Sequence, residues 1–214
     1  LISVLMQLAV DKGWRADNPA AGAKGIRSRS QGFATWSENN IAQFEAHHPV
    51  GSKARLAFDL LLQTGQRRGD VVTIGRQHVQ NGLLTIRQSK TGELVTIPVN
   101  QKLQASLDAA PRDHLTFLVT QHGRPYSPAG FTNTFRKWTA EAGLPVGLSP
   151  HGLRKAMCRR IAEGGGTPHE IMAVSGHKTL SEVTRYTVAA NKKQLGERAM
   201  DLIERRTRNG KPNE

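Results

Sequence analysis

The chain has 214 residues, with 30 Lys and Arg against 17 Asp and Glu and a formal net charge of +13 with histidine neutral. That length buries one substantial core with at most a small appendage, and the positive excess points to a polyanion, nucleic acid being the commonest. The single cysteine, Cys158, excludes an internal disulfide and a cysteine-based zinc cluster and suits a reducing compartment, while no apolar run has membrane-spanning length and the opening lacks a signal peptide's basic lead.

Leu1, Leu5, Leu8 and Ala9 recur at helical spacing up to Gly13. Asn18-Pro19-Ala20-Ala21-Gly22 and a basic, polar run to Gln31 then predict a linker. The chain starts without methionine and inside a helical pattern, which suggests a piece of a longer protein. Ser37-Glu38 opens a helix with Ile41 and Phe44 on its apolar side. Ala54–Thr64 is apolar nearly all round, the mark of a buried helix. Gly65 ends it, and Gln66-Arg67-Arg68-Gly69-Asp70 follows. Adjacent arginines behind a helix are ordinarily surface charge, but a corner directly after the most buried helix is expected to hold one against the core.

Leu83–Arg87 and Leu94–Ile97 are rich in β-formers and predict a hairpin with Lys90 at its tip. A tip lysine is also ordinary protection against edge pairing. Gln101–Ala110 reads as a short helix ended by Pro111, and Leu115–Val119 as an extended segment. Ser127–Ala142 is amphipathic through Phe131, Phe135 and Trp138, and at that spacing the aromatics belong to the core rather than to a base-stacking platform.

The richest stretch is Ser149–Thr187. Ser149 is set to cap a helix whose first residue is Pro150, where no N–H is needed. Leu153, Ala156, Met157 and Ile161 form its buried stripe, and His151 and Arg154, three apart, share another face. Gly164-Gly165-Gly166 ends that helix. Thr167-Pro168-His169-Glu170 boxes the start of a second, closed by Gly176, and His177 comes directly after. A third begins at Thr179-Leu180-Ser181-Glu182 and carries Tyr186. A final helix is expected over Lys192–Arg206, with Leu195, Ala199, Leu202 and Ile203 on one side, then a disordered tail over 207–214.

His151-x-x-Arg154, Gly176-His177 and a tyrosine nine positions later resemble the C-terminal half of a tyrosine recombinase (phage integrase family) active site. Upstream, Thr64-Gly65-Gln66-Arg67-Arg68-Gly69-Asp70 is similar to the family's T-G-x-R-x-x-E, with Asp70 where glutamate is more usual. Ser89-Lys90-Thr91-Gly92 matches the hairpin on which family members carry a lysine. The resemblance runs from about Thr35 to Ala190. It implies a mixed α+β, predominantly helical fold with a small antiparallel β-hairpin sheet. It also implies three segments: residues 1–34 as the last helix of an N-terminal core-binding domain plus linker, 35–206 as the catalytic domain, and 207–214 as the tail.

The chemistry implied is cleavage and rejoining of DNA strands through a 3′-phosphotyrosyl link with a free 5′-hydroxyl, without cofactor, metal or ATP. A phenol has a pKa near ~10 and needs nearby cations and a base to become a nucleophile. Guanidiniums are permanently charged and offer forked donors to phosphoryl oxygens, worth roughly 2.7–4 kcal/mol apiece when aimed at developing charge. Tyr186 is the implied nucleophile, Arg67 and Arg154 the donors to the non-bridging oxygens, and His177 a further donor. His151 exchanges the tyrosine proton, Lys90 protonates the departing 5′ oxygen, and Asp70 orients Arg67 and nearby groups from behind. The six remaining histidines, His47, His48, His78, His114, His122 and His169, read as surface or packing residues.

The implied partners are double-stranded DNA, held through phosphate contacts that weaken as salt rises, and further copies of the chain in a tetrameric synapse docked through helix 192–206. No membrane partner is expected, and the location is cytoplasmic. Two other readings compete. A type IB topoisomerase shares the tyrosine, arginines and lysine but works as a monomer, which leaves the last helix without a role. A non-catalytic helix-turn-helix regulator explains Thr167–Thr187 but leaves Arg67, Lys90 and Arg154 without purpose.

Overall fold

A computed structural model describes residues 2–23 and 32–209, apart from the side chains of 193, 194, 198 and 205–209. Residues 24–31 of the expected linker and 210–214 of the expected tail lie outside the described residues. The chain falls into two units, Leu1–Gly32 and Phe33–Glu214. In the first, α1 (Ile2–Asp11) buries none of its residues. The chain turns at Gly13, and the Asn18 side-chain amide donates to the Ser3 carbonyl at 3.0 Å.

The second unit is mainly helical. Ser37 and Ser52 cap α2 (Glu38–His47) and α3 (Lys53–Thr64), each hydroxyl accepting from the amide three residues on. Nine of the twelve residues of α3 are buried, as its unbroken apolar run requires. Its Phe58 packs with Trp36 and Phe44, and Phe135 packs on Trp36, with Phe44 stacked on Phe58 at 4.6 Å between centroids. Each such ring removed from water contributes about 1.5–3 kcal/mol. Gly65 caps α3 in the left-handed region, φ +62°, and a single-turn α4 (Arg68–Val71) follows at once.

After the 3-10 turn Arg76–His78 come β1 (Val79–Gln80), β2 (Leu83–Arg87) and β3 (Leu94–Pro98), an antiparallel sheet in that order. The expected hairpin is β2–β3, with Leu84 facing Ile97 and Ile86 facing Val95 on the buried side. β1 is an addition. It turns into β2 through Asn81 and Gly82, both at positive φ, the pair that two-residue hairpins favour.

Asn100 caps α5 (Gln101–Asp108), Ser127 caps α6 (Pro128–Glu141), and the Leu115–Val119 segment ends in one bridge, Val119 to Pro125. Phe131 and Phe135 of α6 are fully buried. They are core, as their spacing requires. Next, α7 (Pro150–Glu163) packs on α3, and α8 (Pro168–Ser175) and α9 (Leu180–Asn209) pack on α7.

Two expectations are corrected here. Ser149 sits at the N-cap of α7 in extended conformation, but its hydroxyl caps nothing and is buried without a partner among the described residues. The work at this corner falls to its carbonyl, which accepts from Trp36 Nε1 at 3.1 Å and from the Gly152 amide at 3.0 Å. The helix of Tyr186 and the expected helix 192–206 are one, α9, which continues to Asn209, so Thr207–Asn209 are helical too. No proline stands between Tyr186 and Lys192, and α9 runs unbroken through Gly196. Leu195, Leu202 and Ile203 are exposed on α9.

The strap formed by residues 33–36 crosses the start of α7. It fits because residue 152 is glycine, since a Cβ there would stand 2.2 Å from the Ala34 carbonyl oxygen. Lys155 Nζ donates to the Phe33 carbonyl at 2.6 Å and Arg159 Nη1 to the Trp36 carbonyl at 2.8 Å. Glu38 pairs with both Arg159 and Arg160, which lowers its own pKa. No helix among the described residues is long and apolar enough to cross a membrane.

Candidate active site

The α3–α4 corner, the β2–β3 hairpin, the start of α7 and the α8–α9 corner deliver all the candidate residues. Arg154 lies deepest. Only 2% exposed, it donates from Nη1 to the Gly65 carbonyl at 2.7 Å and the Ser175 carbonyl at 2.6 Å. It thereby ties the end of α3 to the end of α8. Its Nη2 is buried and has no hydrogen-bond partner among the described residues. A buried guanidinium nitrogen left unpaired costs free energy unless an anion completes it. Burial, and then the neighbouring Arg67 charge, lower the Arg154 pKa to about 10, so it stays cationic at neutral pH.

Arg67 is half-buried and donates from Nη1 to Gln88 Oε1 at 2.5 Å. With Lys90 and His151 it lines a cleft of about 290 Å³, whose walls also include Phe33, Arg68 and Thr132. Phe33 lies tilted against the His151 ring, with centroids 4.8 Å apart. Burial lowers the His151 pKa to about 4, and the charges of Arg154, Lys155, Arg67 and Arg185 act in the same direction. His177 is held through Nδ1, 2.6 Å from Ser175 Oγ, which leaves Nε2 for a ligand. Its pKa is lowered to about 4, again by burial first and then by Arg154, with Glu182 opposing. An anion placed among these groups would favour the charged forms of both imidazoles.

Tyr186 lies within electrostatic reach of Arg154 and lines a further cleft, of about 260 Å³, with Thr35, Arg159, Glu163, Arg185, Ala189 and Ala190. Its hydroxyl accepts from Arg185 Nη2 at 3.1 Å, and the Arg185 guanidinium lies over its ring. Burial raises its pKa, and Arg185 and Arg154 oppose that rise. The phenol is therefore protonated here, and its described partner is Arg185 rather than His151.

Asp70 serves a group near Arg67 rather than Arg67 itself. Its Oδ1 accepts from the Ser89 amide at 2.8 Å and the Ser89 hydroxyl at 2.7 Å, while Oδ2 has no partner among the described residues. It therefore holds the hairpin beside Lys90 and makes no hydrogen bond to Arg67. The shorter aspartate side chain, placed on α4, reaches the hairpin backbone instead.

Sequence reasoning missed Gln66 and Gln88, both fully buried. A signal existed for Gln88. Leu84 and Ile86 point inward on β2, and the alternation carries residue 88 inward as well. A polar residue in that phase is buried and must find partners.

The sequence model of the phage integrase family matches residues 37–193. The chain belongs to the phage integrase family. It is similar to the integrase of Escherichia phage HK022, 28% identical over 191 residues, which covers 83% of this chain and 53% of that protein. It is also similar to tyrosine recombinase XerC 2 of Ralstonia nicotianae, 27% identical over 158 residues, covering 69% of this chain and 46% of that one. The chain thus spans about half the length of these relatives. Among solved structures it is similar to a lambda integrase (residues 75–356) dimer bound to a COC′ core site. The TM-score is 0.73 at 22% identity, covering 87% of this chain and 70% of that one. The phage integrase fold is therefore the fold of this chain, predominantly helical with a small antiparallel sheet.

Proposed function

We propose that this phage integrase family chain carries the catalytic domain of a site-specific DNA recombinase. One observation carries the proposal: the buried, unpaired Nη2 of Arg154 lies near Arg67 and His177, a donor that a phosphodiester oxygen can accept from.

In the proposed reaction the Tyr186 oxygen attacks phosphorus, forming the 3′-phosphotyrosyl ester as the bond to the 5′ oxygen breaks. The phenol proton passes to His151, whose neutral ring can accept it. Lys90 donates a proton to the departing 5′ oxygen, giving a free 5′-hydroxyl. Arg67, Arg154 and His177 donate to the non-bridging oxygens as charge develops there. Asp70 keeps the Lys90 hairpin in register through Ser89. Attack by a second 5′-hydroxyl reverses each step and joins a new strand, so the ester retains the bond energy and no ATP enters. For this to happen the Tyr186 hydroxyl must leave Arg185 and meet the phosphate held by the arginines.

Residues 1–34 are proposed to end a core-binding domain with its linker, and 35–206 to form the catalytic domain. The partners are proposed to be duplex DNA in the cytoplasm and further copies of the chain, docked through the 192–206 part of α9. A lambda integrase tetramer bound to a Holliday junction has the same fold, with a TM-score of 0.71, and the exposed Leu195, Leu202 and Ile203 suit such docking.

The test is a nicked suicide duplex bearing the boundary sequences of the element that carries the gene, incubated with the chain and with Tyr186→Phe. A denaturing gel showing a protein–DNA adduct with the chain and none with the variant supports the proposal. Tight, specific binding with no adduct from either the chain or its full-length parent favours the helix-turn-helix regulator. Adduct together with relaxation of supercoiled plasmid by a monomer, without strand exchange, favours the type IB topoisomerase reading.

A further inference from the structure

Gln88 joins the α3–α4 corner, its own hairpin and the end of α8, and its four side-chain hydrogen bonds fix its orientation. The Thr64 and Val174 carbonyls can only accept, so the Gln66 amide nitrogen must be the atom that donates to them, at 3.0 and 2.9 Å. Gln66 Oε1 is therefore an acceptor. Facing it at 2.6 Å, and facing the Ser175 carbonyl at 2.7 Å, the Gln88 nitrogen must donate to both. Gln88 Oε1 is left to accept from Arg67 Nη1 at 2.5 Å and from Thr91 Oγ1 at 2.8 Å. All four sites of the amide are used, and a flipped amide would set donor against donor and acceptor against acceptor.

The Ser175 carbonyl takes a second bond, from Arg154 Nη1 at 2.6 Å. A continuous chain thus runs from Arg67 through the Gln88 amide and the Ser175 carbonyl to Arg154. The two guanidiniums repel one another, and this polar bridge sets their separation. The backbone of Gln88 also closes the hairpin loop, its N–H donating to the Glu93 carbonyl and its carbonyl accepting from the Gly92 amide, each at 2.8 Å. Gly176 completes the fit, since a Cβ there would stand 2.4 Å from Gln88 Nε2. That close approach sets the backbone directly before His177.

We propose that Gln88 is a positioning residue that holds Arg67 at a fixed spacing from Arg154 and registers the Lys90 hairpin against that pair. The proposal rests on the recombinase reading for its effect on cleavage but not for its geometry. Because misplacing a donor by about 1 Å can cost on the order of 100-fold, Gln88→Met is expected to slow adduct formation at saturating DNA by about 10–100-fold. DNA affinity should stay within about 3-fold.

The experiment is a cycle of Gln88→Met, Arg67→Ala and the double variant in single-turnover cleavage of the suicide duplex. It is joined to NMR of the Arg67 Nε–H group in the free protein. If Gln88 acts through Arg67, the Gln88→Met penalty shrinks to within about 3-fold in the Arg67→Ala background. The Arg67 signal should also lose its order in Gln88→Met. A full penalty in both backgrounds, or wild-type cleavage by Gln88→Met, overturns the proposal. So does an Arg67 signal that keeps its order without Gln88.

Gln66→Met, which removes the acceptor facing Gln88 Nε2 together with the bonds to the Thr64 and Val174 carbonyls, serves the same cycle and the same NMR measurement if Gln88→Met fails to fold. Its penalty must likewise vanish with Arg67→Ala. If the unmodified chain and its full-length parent form no adduct, the recombinase reading falls, and the NMR arm still decides whether Gln88 holds Arg67.

Discussion

Replacing Gly176 by alanine tests the packing of the polar hub against a built-in control. Gly176 and Gly165 both lie in the left-handed region, at φ +67° and +88°. Open space surrounds Gly165, whereas a Cβ on Gly176 overlaps the Gln88 amide, with Nε2 at 2.4 Å and the amide carbon at 2.7 Å. The left-handed conformation costs a non-glycine residue about 1–2 kcal/mol, offset by about 0.4–1 kcal/mol from a stiffer unfolded chain. Gly165→Ala should therefore cost roughly 1 kcal/mol or less. Gly176→Ala adds displacement of an amide held by four hydrogen bonds. Losing one or two of them in a buried site costs about 1–3 kcal/mol each, so the difference between the variants should be about 2–4 kcal/mol. At about 2–4 °C per kcal/mol for a domain of this size, Gly176→Ala should melt at least about 5 °C below Gly165→Ala in calorimetry. Equal melting temperatures would refute the claim that Gln88 is locked against the α8–α9 corner.

Three further outcomes are expected. Lys90 is exposed at the hairpin tip, so Lys90→Ala should leave stability within about 0.5 kcal/mol while slowing adduct formation by about 10²–10⁴-fold, read by melting and by denaturing gel. Arg154→Lys keeps the charge but replaces the planar guanidinium, whose Nη1 serves two carbonyls while Nη2 stays free for a ligand, by a single ammonium. It should cost about 1–3 kcal/mol in denaturant unfolding and at least about 10²-fold in cleavage. His151 and His177 should titrate near pH 4 in NMR of the free protein, against an ordinary value of 6.5. Between those values the unfolded chain binds more protons than the folded one, so stability falls as pH drops from 6.5 towards 4 and is unaffected by these groups above 6.5. A phosphodiester in the site should raise both values.

The elements that announce themselves locally were legible in the sequence. The Ser37 cap, the unbroken apolar run of α3, the Thr167–Glu170 box and the left-handed Gly65 and Gly176 all depend on neighbours within a few residues. So did the β2–β3 hairpin. What escaped depends on long-range pairing. β1 is two residues long and exists through its register with β2. The Asp70 carboxylate meets Ser89 across 19 positions, and Gln88 reaches Ser175 across 87. The resemblance implied Tyr186 beside the arginines; its hydroxyl accepts from its neighbour Arg185 while Arg154 acts on it electrostatically. A motif fixes which residue stands on α9, not which partner its side chain takes.

The most direct test is to digest the trapped protein–DNA adduct with trypsin and nuclease and to sequence the modified peptide by mass spectrometry. The account predicts a nucleotide joined through its 3′-phosphate to Tyr186, with a 5′-hydroxyl on the released strand. A 5′-phosphate linkage, or attachment to any residue other than Tyr186, would contradict it.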